Sequence, residues 1–299
     1  MRTSEWIQAG FAIFLAIAAW LCPLAVRRRR TIALLAGGAI LAVALARLSE
    51  FILTPVQSSI LRDWLPVPLM LIPYWQAGQF FVAPNQKIQA WLVESDRRLL
   101  GFVSQTRWAS QSDWKFGRFA RLTMEWAYAL CYPFATLGLA TLYAAGLRRD
   151  AGTFWFFVLA PTYFCYVITP FVPALPPRAL YLAREESLPT ESKILRKSRV
   201  FNLWILKHGS IGAISFPSAH VASALAVSLV LLHYLPLAGA IFLFVTFWIA
   251  VAAVVGGYHY AVDVVLGALL TLAFYMAWRV HLIPSILFTA PAMALVTGL

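Results

Sequence analysis

The stretch Gly256-Gly257-Tyr258-His259-Tyr260-Ala261-Val262-Asp263 places a histidine four residues before an aspartate. On a helix that spacing puts both side chains on one face, with about 6 Å between their Cβ atoms. A carboxylate at that reach accepts the proton of one imidazole nitrogen. The tautomer is then fixed, and the other nitrogen keeps its lone pair as a nucleophile or base. The glycines just before the pair permit a tight turn or the close approach of a ligand. By itself, a His/Asp pair at this spacing also suits a structural histidine.

A second stretch, Ser215-Phe216-Pro217-Ser218-Ala219-His220, opens a long apolar run. Proline suits a first helical turn because the N–H it lacks would go unbonded there. The remaining free N–H groups and the helix dipole make an anion site. Ser218 adds a hydroxyl donor and His220 a proton donor, although an N-cap and an interface histidine would look the same. The two stretches together answer the needs of phosphoryl transfer: donors for non-bridging oxygens, an in-line nucleophile, and an acid on the leaving-group side. His259 oriented by Asp263 is the nucleophile, His220 the acid, and Ser218 a phosphate donor. Arg178, and Arg184, Arg199 or Lys207, are the available countercharges. The set calls for no metal and no cofactor.

These residues must be held by membrane helices. Of 299 residues, 61% are hydrophobic and 12% charged, against roughly 25% charged in soluble domains. That excludes a soluble fold and disorder. Three cysteines, Cys22, Cys131 and Cys165, all in apolar runs, exclude a disulfide scaffold. Runs near 20 apolar residues predict spans over 6–26, 31–53, 122–146, 152–172, 212–233, 237–256 and 263–283. No barrel-type alternation appears, so the fold class is all-α, a polytopic helix bundle. Residues 66–84, with Pro66, Pro68, Pro73, Gln76 and Gln79, fit either a span or a re-entrant piece. Residues 85–121 mix tryptophans with ten charges and read as an interfacial segment. The division expected is N-terminal helices to residue 60, a re-entrant and amphipathic segment over 61–121, a catalytic core over 122–283, and a tail over 284–299.

The net charge of +12 reads as orientation and headgroup contact, with the bilayer as partner and nucleic acid excluded. Other ionisable residues have plain expectations: Arg47 pairs with Glu50, Glu125 with Arg121, and His233 and His281 sit at interfaces.

At its two motifs the sequence resembles the type 2 phosphatidic acid phosphatase superfamily. Pro217-Ser218-Ala219-His220 is similar to that family's second motif, PSGH. His259-Tyr260-Ala261-Val262-Asp263 is similar to the end of its third, SRxxxxxHxxxD. The resemblance implies a six-helix membrane core, a phosphohistidine on His259, an orienting Asp263, a proton-donating His220 and a phosphate-binding Ser218. Two departures stand out. Ala252 and Ala253 occupy the third motif's serine and arginine positions, and KxxxxxxRP is absent. Pro176-Pro177-Arg178 stands in its place and looks more like the branch of inositol phosphorylceramide synthases and their bacterial relatives. Arg178 is then the candidate replacement cation.

The resemblance implies a lipid phosphate or pyrophosphate substrate and hydrolysis or transfer of its phosphoryl group. The alternatives are a phosphotransferase that moves a phospho-headgroup to a lipid alcohol, and a non-catalytic lipid-binding or transport protein. It also implies an inner-membrane location with an extracytoplasmic site. The charge pattern agrees if 66–84 stops short of a crossing and Arg27–Arg30, Arg148, Arg149 and Arg279 all face the cytoplasm.

Overall fold

The computed structural model describes residues 2–101, 115–180 and 209–280, with backbone alone for 115–121. These residues are helical, with no strand among them. The long helices are α1 (Thr3–Leu21), α2 (Val26–Leu48), α9 (Ala151–Ile168), α10 (Ala219–Tyr234), α11 (Pro236–Val255) and α12 (Ala261–Arg279). Between them lie α3 (Pro55–Trp64), α4 (Pro66–Leu69), α5 (Leu71–Gly78), α6 (Gln86–Leu99), α7 (Lys115–Ala129) and α8 (Phe134–Ala144). Five described helices are long and apolar enough to cross a membrane, or six with one bent pair counted as a span. The protein is an integral membrane helix bundle.

Two predicted spans take different forms. Residues 122–146 are not one rod: α7 and α8 are bent by 64°, with Pro133 at the start of α8. In 212–233, helix begins only at Ala219. Gly212 has φ +68°, and the serine-rich stretch up to Ser218 serves as a cap rather than a first turn.

The core lies among α8, α9 and α10, around Phe154, Trp155, Leu139 and Val227. Gly138 lets α8 approach, since a Cβ there would come within 2.5 Å of Val227.

Three prolines, Pro66, Pro68 and Pro73, break residues 55–78 into α3, α4 and α5 by removing backbone donors. The broken segment nevertheless runs the length of α1, a distance of about 28 Å at 1.5 Å per residue. At one end Asp63 pairs with Arg2 and with Arg148. At the other, the carbonyls of Gln79 and Phe81 accept from Arg28, at 2.9 and 2.5 Å. The polar residues are used inside the bundle: Gln76 is fully buried and donates to the carbonyls of Ala12 and Ile32.

This differs from the charge pattern read from the sequence, in which 66–84 stopped short. Arg28 lies at the opposite end of α1 from Arg148. Arg279 reaches His233 at 3.2 Å, beside Trp278, which packs on Phe157 in the first half of α9. The basic groups are therefore divided between the two ends and do not share one side. Glu50 also departs from expectation. The helix of Arg47 ends at Leu48 and tightens into a 3₁₀ turn over Ser49–Phe51, which swings Glu50 away to pair with Arg62, itself bound to Glu5.

Cysteines introduced at Arg30 and at Arg149, with the three native cysteines replaced, should react with an impermeant maleimide from opposite faces of sealed vesicles. Labelling from one face would contradict the traverse.

Candidate functional site

The starts of α10 and α12 meet. Ser218 is the N-cap of α10, fully buried, and its hydroxyl oxygen accepts from the Val221 N–H at 3.4 Å. Its own N–H donates to the Asp263 carbonyl at 3.0 Å. Gly267, one turn further along α12, makes this approach possible: a Cβ there would stand 2.6 Å from the Ser218 carbonyl oxygen. The expected His/Asp geometry follows from the same junction. His259 lies in the turn before α12 and Asp263 in its first turn, with His259 Nδ1 3.3 Å from Asp263 Oδ2. The same oxygen accepts from the Tyr260 N–H at 3.3 Å. Asp263 is fully buried, and its second oxygen has no hydrogen-bond partner among the described residues.

His220, the second residue of α10, presents Nδ1 to His259 Nε2 at 3.3 Å. The order Asp263, His259, His220 sets the protons. The carboxylate takes the Nδ1–H of His259, leaving Nε2 as acceptor, so the His220 Nδ1–H points at it. Tyr74, Tyr128 and Tyr132 wall His220, with ring centroids 6.4, 5.8 and 6.0 Å away.

Arg178 is brought to the same turn from a short helical segment that begins at residue 177. Its N–H donates to the Gly257 carbonyl at 2.8 Å. Gly257 holds φ +69° there, and a Cβ would press on the Arg178 backbone. The guanidinium lies 4.8 Å over the Tyr258 ring and 3.5 Å from Glu125. Tyr258 stacks flat on Tyr128, centroids 3.7 Å apart, and its hydroxyl donates to Glu125 at 2.6 Å. Burial pushes the Tyr258 phenol above its ordinary range, so it remains a donor. Glu125 thus reaches Arg178 and Tyr258; its expected partner, the Arg121 side chain, lies outside the described residues, as do Arg184, Arg199, Lys207 and His281.

Sequence reasoning passed over Glu125, Tyr258 and the buried face of α6. Glu125 carried a signal, an acid in an apolar run, but an arginine one turn away offered a nearer explanation. On α6 the signal was the spacing of Gln89, Leu92 and Asp96, which share a face. Leu92 and Asp96 are both buried, and Asp96 accepts from the Ala261 N–H at 2.6 Å, at the first residue of α12.

With the two motifs joined in space, the comparisons with known proteins agree. A family model described as PAP2 superfamily matches residues 90–277, more than half the chain, from α6 almost to the end of α12. The chain belongs to the PAP2 superfamily. No curated protein and no solved structure matches it.

Gly267→Ala should lower stability by about 1–3 kcal/mol through overpacking against the Ser218 backbone. Thermal unfolding in detergent reads this. Gly37→Ala, where nothing lies within 4 Å, should leave the melting temperature level or slightly raised.

Proposed function

We propose that the protein is a membrane enzyme that cleaves or transfers the phosphoryl group of a lipid phosphate or pyrophosphate through a phosphohistidine on His259. The observation that carries this reading is the line Asp263–His259–His220, each member at 3.3 Å from the next. In it, one imidazole is oriented by a buried carboxylate and faces a second. Superfamily membership supports phosphatase-type chemistry.

In the first step Nε2 of His259 attacks phosphorus, the bond from phosphorus to the leaving oxygen breaks, and His220 gives that oxygen a proton. In the second, His220 removes a proton from water or an alcohol, whose oxygen attacks phosphorus as the P–N bond breaks. Asp263 stabilises the positive charge that builds on His259. A phosphoryl group does not fit between nitrogens 3.3 Å apart, so the two rings must part as substrate enters. Ser218 and the start of α10 face the non-bridging oxygens in this reading.

Arg178 is the countercharge we assign, with Lys207 as a second. Ala253, at the position of the missing motif arginine, accepts from the N–H groups of Tyr258 and His259 at 2.9 and 3.0 Å. Arg178 bonds to Gly257 of the same turn. A cation is thus supplied to this turn from another part of the chain, which favours a resemblance to the inositol phosphorylceramide synthase branch over the arginine-bearing phosphatases. The reading keeps the site extracytoplasmic in a bacterial inner membrane, with Arg148, Arg149 and Arg279 at the cytoplasmic end.

His259→Ala should abolish turnover of a lipid-phosphate panel in detergent while leaving the melting temperature unchanged within a few degrees. His220→Ala should cost on the order of 10²-fold or more, as expected for losing a positioned acid. Full activity in His259→Ala would end this mechanism. Adding inositol or a lipid alcohol separates the acceptors: phosphate released regardless identifies a phosphatase, and a phosphorylated alcohol identifies a transferase.

A further inference from the structure

We infer that Gln89 is a positioning residue for Arg178: its side-chain amide locks the segment that carries the arginine onto the segment that carries His259. The inference rests on Arg178 being the phosphate cation.

Gln89 projects from α6, a helix outside the spans. Its Oε1 accepts from the Leu175 N–H at 2.8 Å. Its Nε2 donates to the Leu175 carbonyl at 3.4 Å and to the Tyr260 hydroxyl. The Tyr260 hydroxyl in turn donates to the same Leu175 carbonyl, at 3.0 Å. One side-chain amide therefore mimics a strand partner for Leu175 and closes a ring of bonds with Tyr260. Leu175 stands three residues before Arg178, and Tyr260 directly follows His259.

A second tie, from the Arg178 N–H to the Gly257 carbonyl, fixes the other end of the same short segment. Two ties at its two ends leave it little freedom to slide relative to the 257–260 turn. Around this ring Leu92, Ala174, Ile214, Phe216 and Tyr260 form a separate apolar cluster. Packing alone would be served by leucine at position 89. The amide is what satisfies both polar groups of the half-buried Leu175 at once, bonds that leucine would forfeit.

The cation, in the helical turn that begins at residue 177, and the nucleophile, in the turn before α12, lie 81 residues apart in sequence, and nothing covalent sets their distance. Transition-state stabilisation by a charge depends on its being in place before the reaction. The ring at Gln89 supplies that constraint, and its effect should pass through Arg178.

The test is a double-mutant cycle on kcat/KM for a lipid phosphate, with melting temperatures measured in parallel. Gln89→Leu should lower kcat/KM by roughly 10- to 100-fold, as misplacement by about an ångström does. In an Arg178→Gln background the same change should cost no more than about twofold, because the residue it positions is gone. Tyr260→Phe, which keeps the Gln89–Leu175 pair, should follow the same pattern with a smaller loss, and it carries the cycle if Gln89→Leu does not fold. Equal losses in both backgrounds would overturn the positioning role and leave the catalytic reading standing. An unchanged Arg178→Gln would overturn the assignment of Arg178 and this inference with it. A wild-type protein without turnover on the whole panel would overturn the functional reading itself.

Discussion

The contact between the Ser218 backbone and the first turns of α12 is the constraint on which the rest of the site depends. It is a backbone contact, from the Ser218 N–H to the Asp263 carbonyl, and it is close because Gly267 offers no Cβ. Once the starts of α10 and α12 are fixed at that distance, a histidine in the first turn of α10 comes to face a histidine in the turn before α12. The 39-residue separation of His220 and His259 then acts as a spacer, out along α10 and back along α11. The aspartate is tied into the same junction twice, by its carbonyl to Ser218 and by its carboxylate to His259 and the Tyr260 N–H.

Two helix N-termini converge here, and each carries a partial positive charge. They are treated differently. The start of α12 faces two carboxylates, Asp263 on the Tyr260 N–H and Asp96 on the Ala261 N–H, so its field is already balanced. The start of α10 is capped by the neutral hydroxyls of Ser218 and Ser215. A neutral cap satisfies a donor without cancelling the dipole, so the α10 end is the one left able to attract an anion. If phosphate binds there as proposed, serine suits the position where aspartate would repel it, although both are good N-caps.

The grouping of the motif residues was legible because it depends on local spacing: Ser218 and His220 at the start of α10, His259 and Asp263 at the start of α12. The all-α type was legible from composition and run length, but the bend between α7 and α8 and the late start of α10 were not. What escaped the sequence depends on long-range placement. Glu125 meets Arg178 across 53 residues and Tyr258 across 133, and Gln89 meets Tyr260 across 171. A polar residue with a plausible partner one turn away gives no hint that it reaches elsewhere. The traverse of 55–81 was obscured for a related reason. Proline and glutamine look foreign to a membrane helix when read alone, yet inside a bundle neighbouring helices supply the partners that lipid cannot. Gln76 does this by spending its amide on carbonyls of α1 and α2.

In the proposed reading, Arg178 takes over the part of a motif arginine that the chain lacks. An arginine on the α11 side of the turn would reach phosphate along one short stretch of chain, held by helix geometry. Alanine at positions 252 and 253 removes that route and lets the turn pack down, with two N–H groups on the Ala253 carbonyl. The cation then has to come from a separate segment, the helical turn that begins at residue 177, whose place relative to the His259 turn only long-range contacts can set. The fold meets this with bonds at each level: backbone to Gly257, guanidinium over Tyr258 and beside Glu125, and, through the Leu175 peptide, the amide of Gln89. The Glu125 contact also bears on the resting charge of the site. A guanidinium near a carboxylate and over a stacked ring is partly neutralised, which lowers the cost of keeping it largely buried when no phosphate is present. An incoming dianion offers a stronger partner than one carboxylate at 3.5 Å, so substrate can draw the guanidinium away while the backbone bond to Gly257 keeps the arginine at the turn.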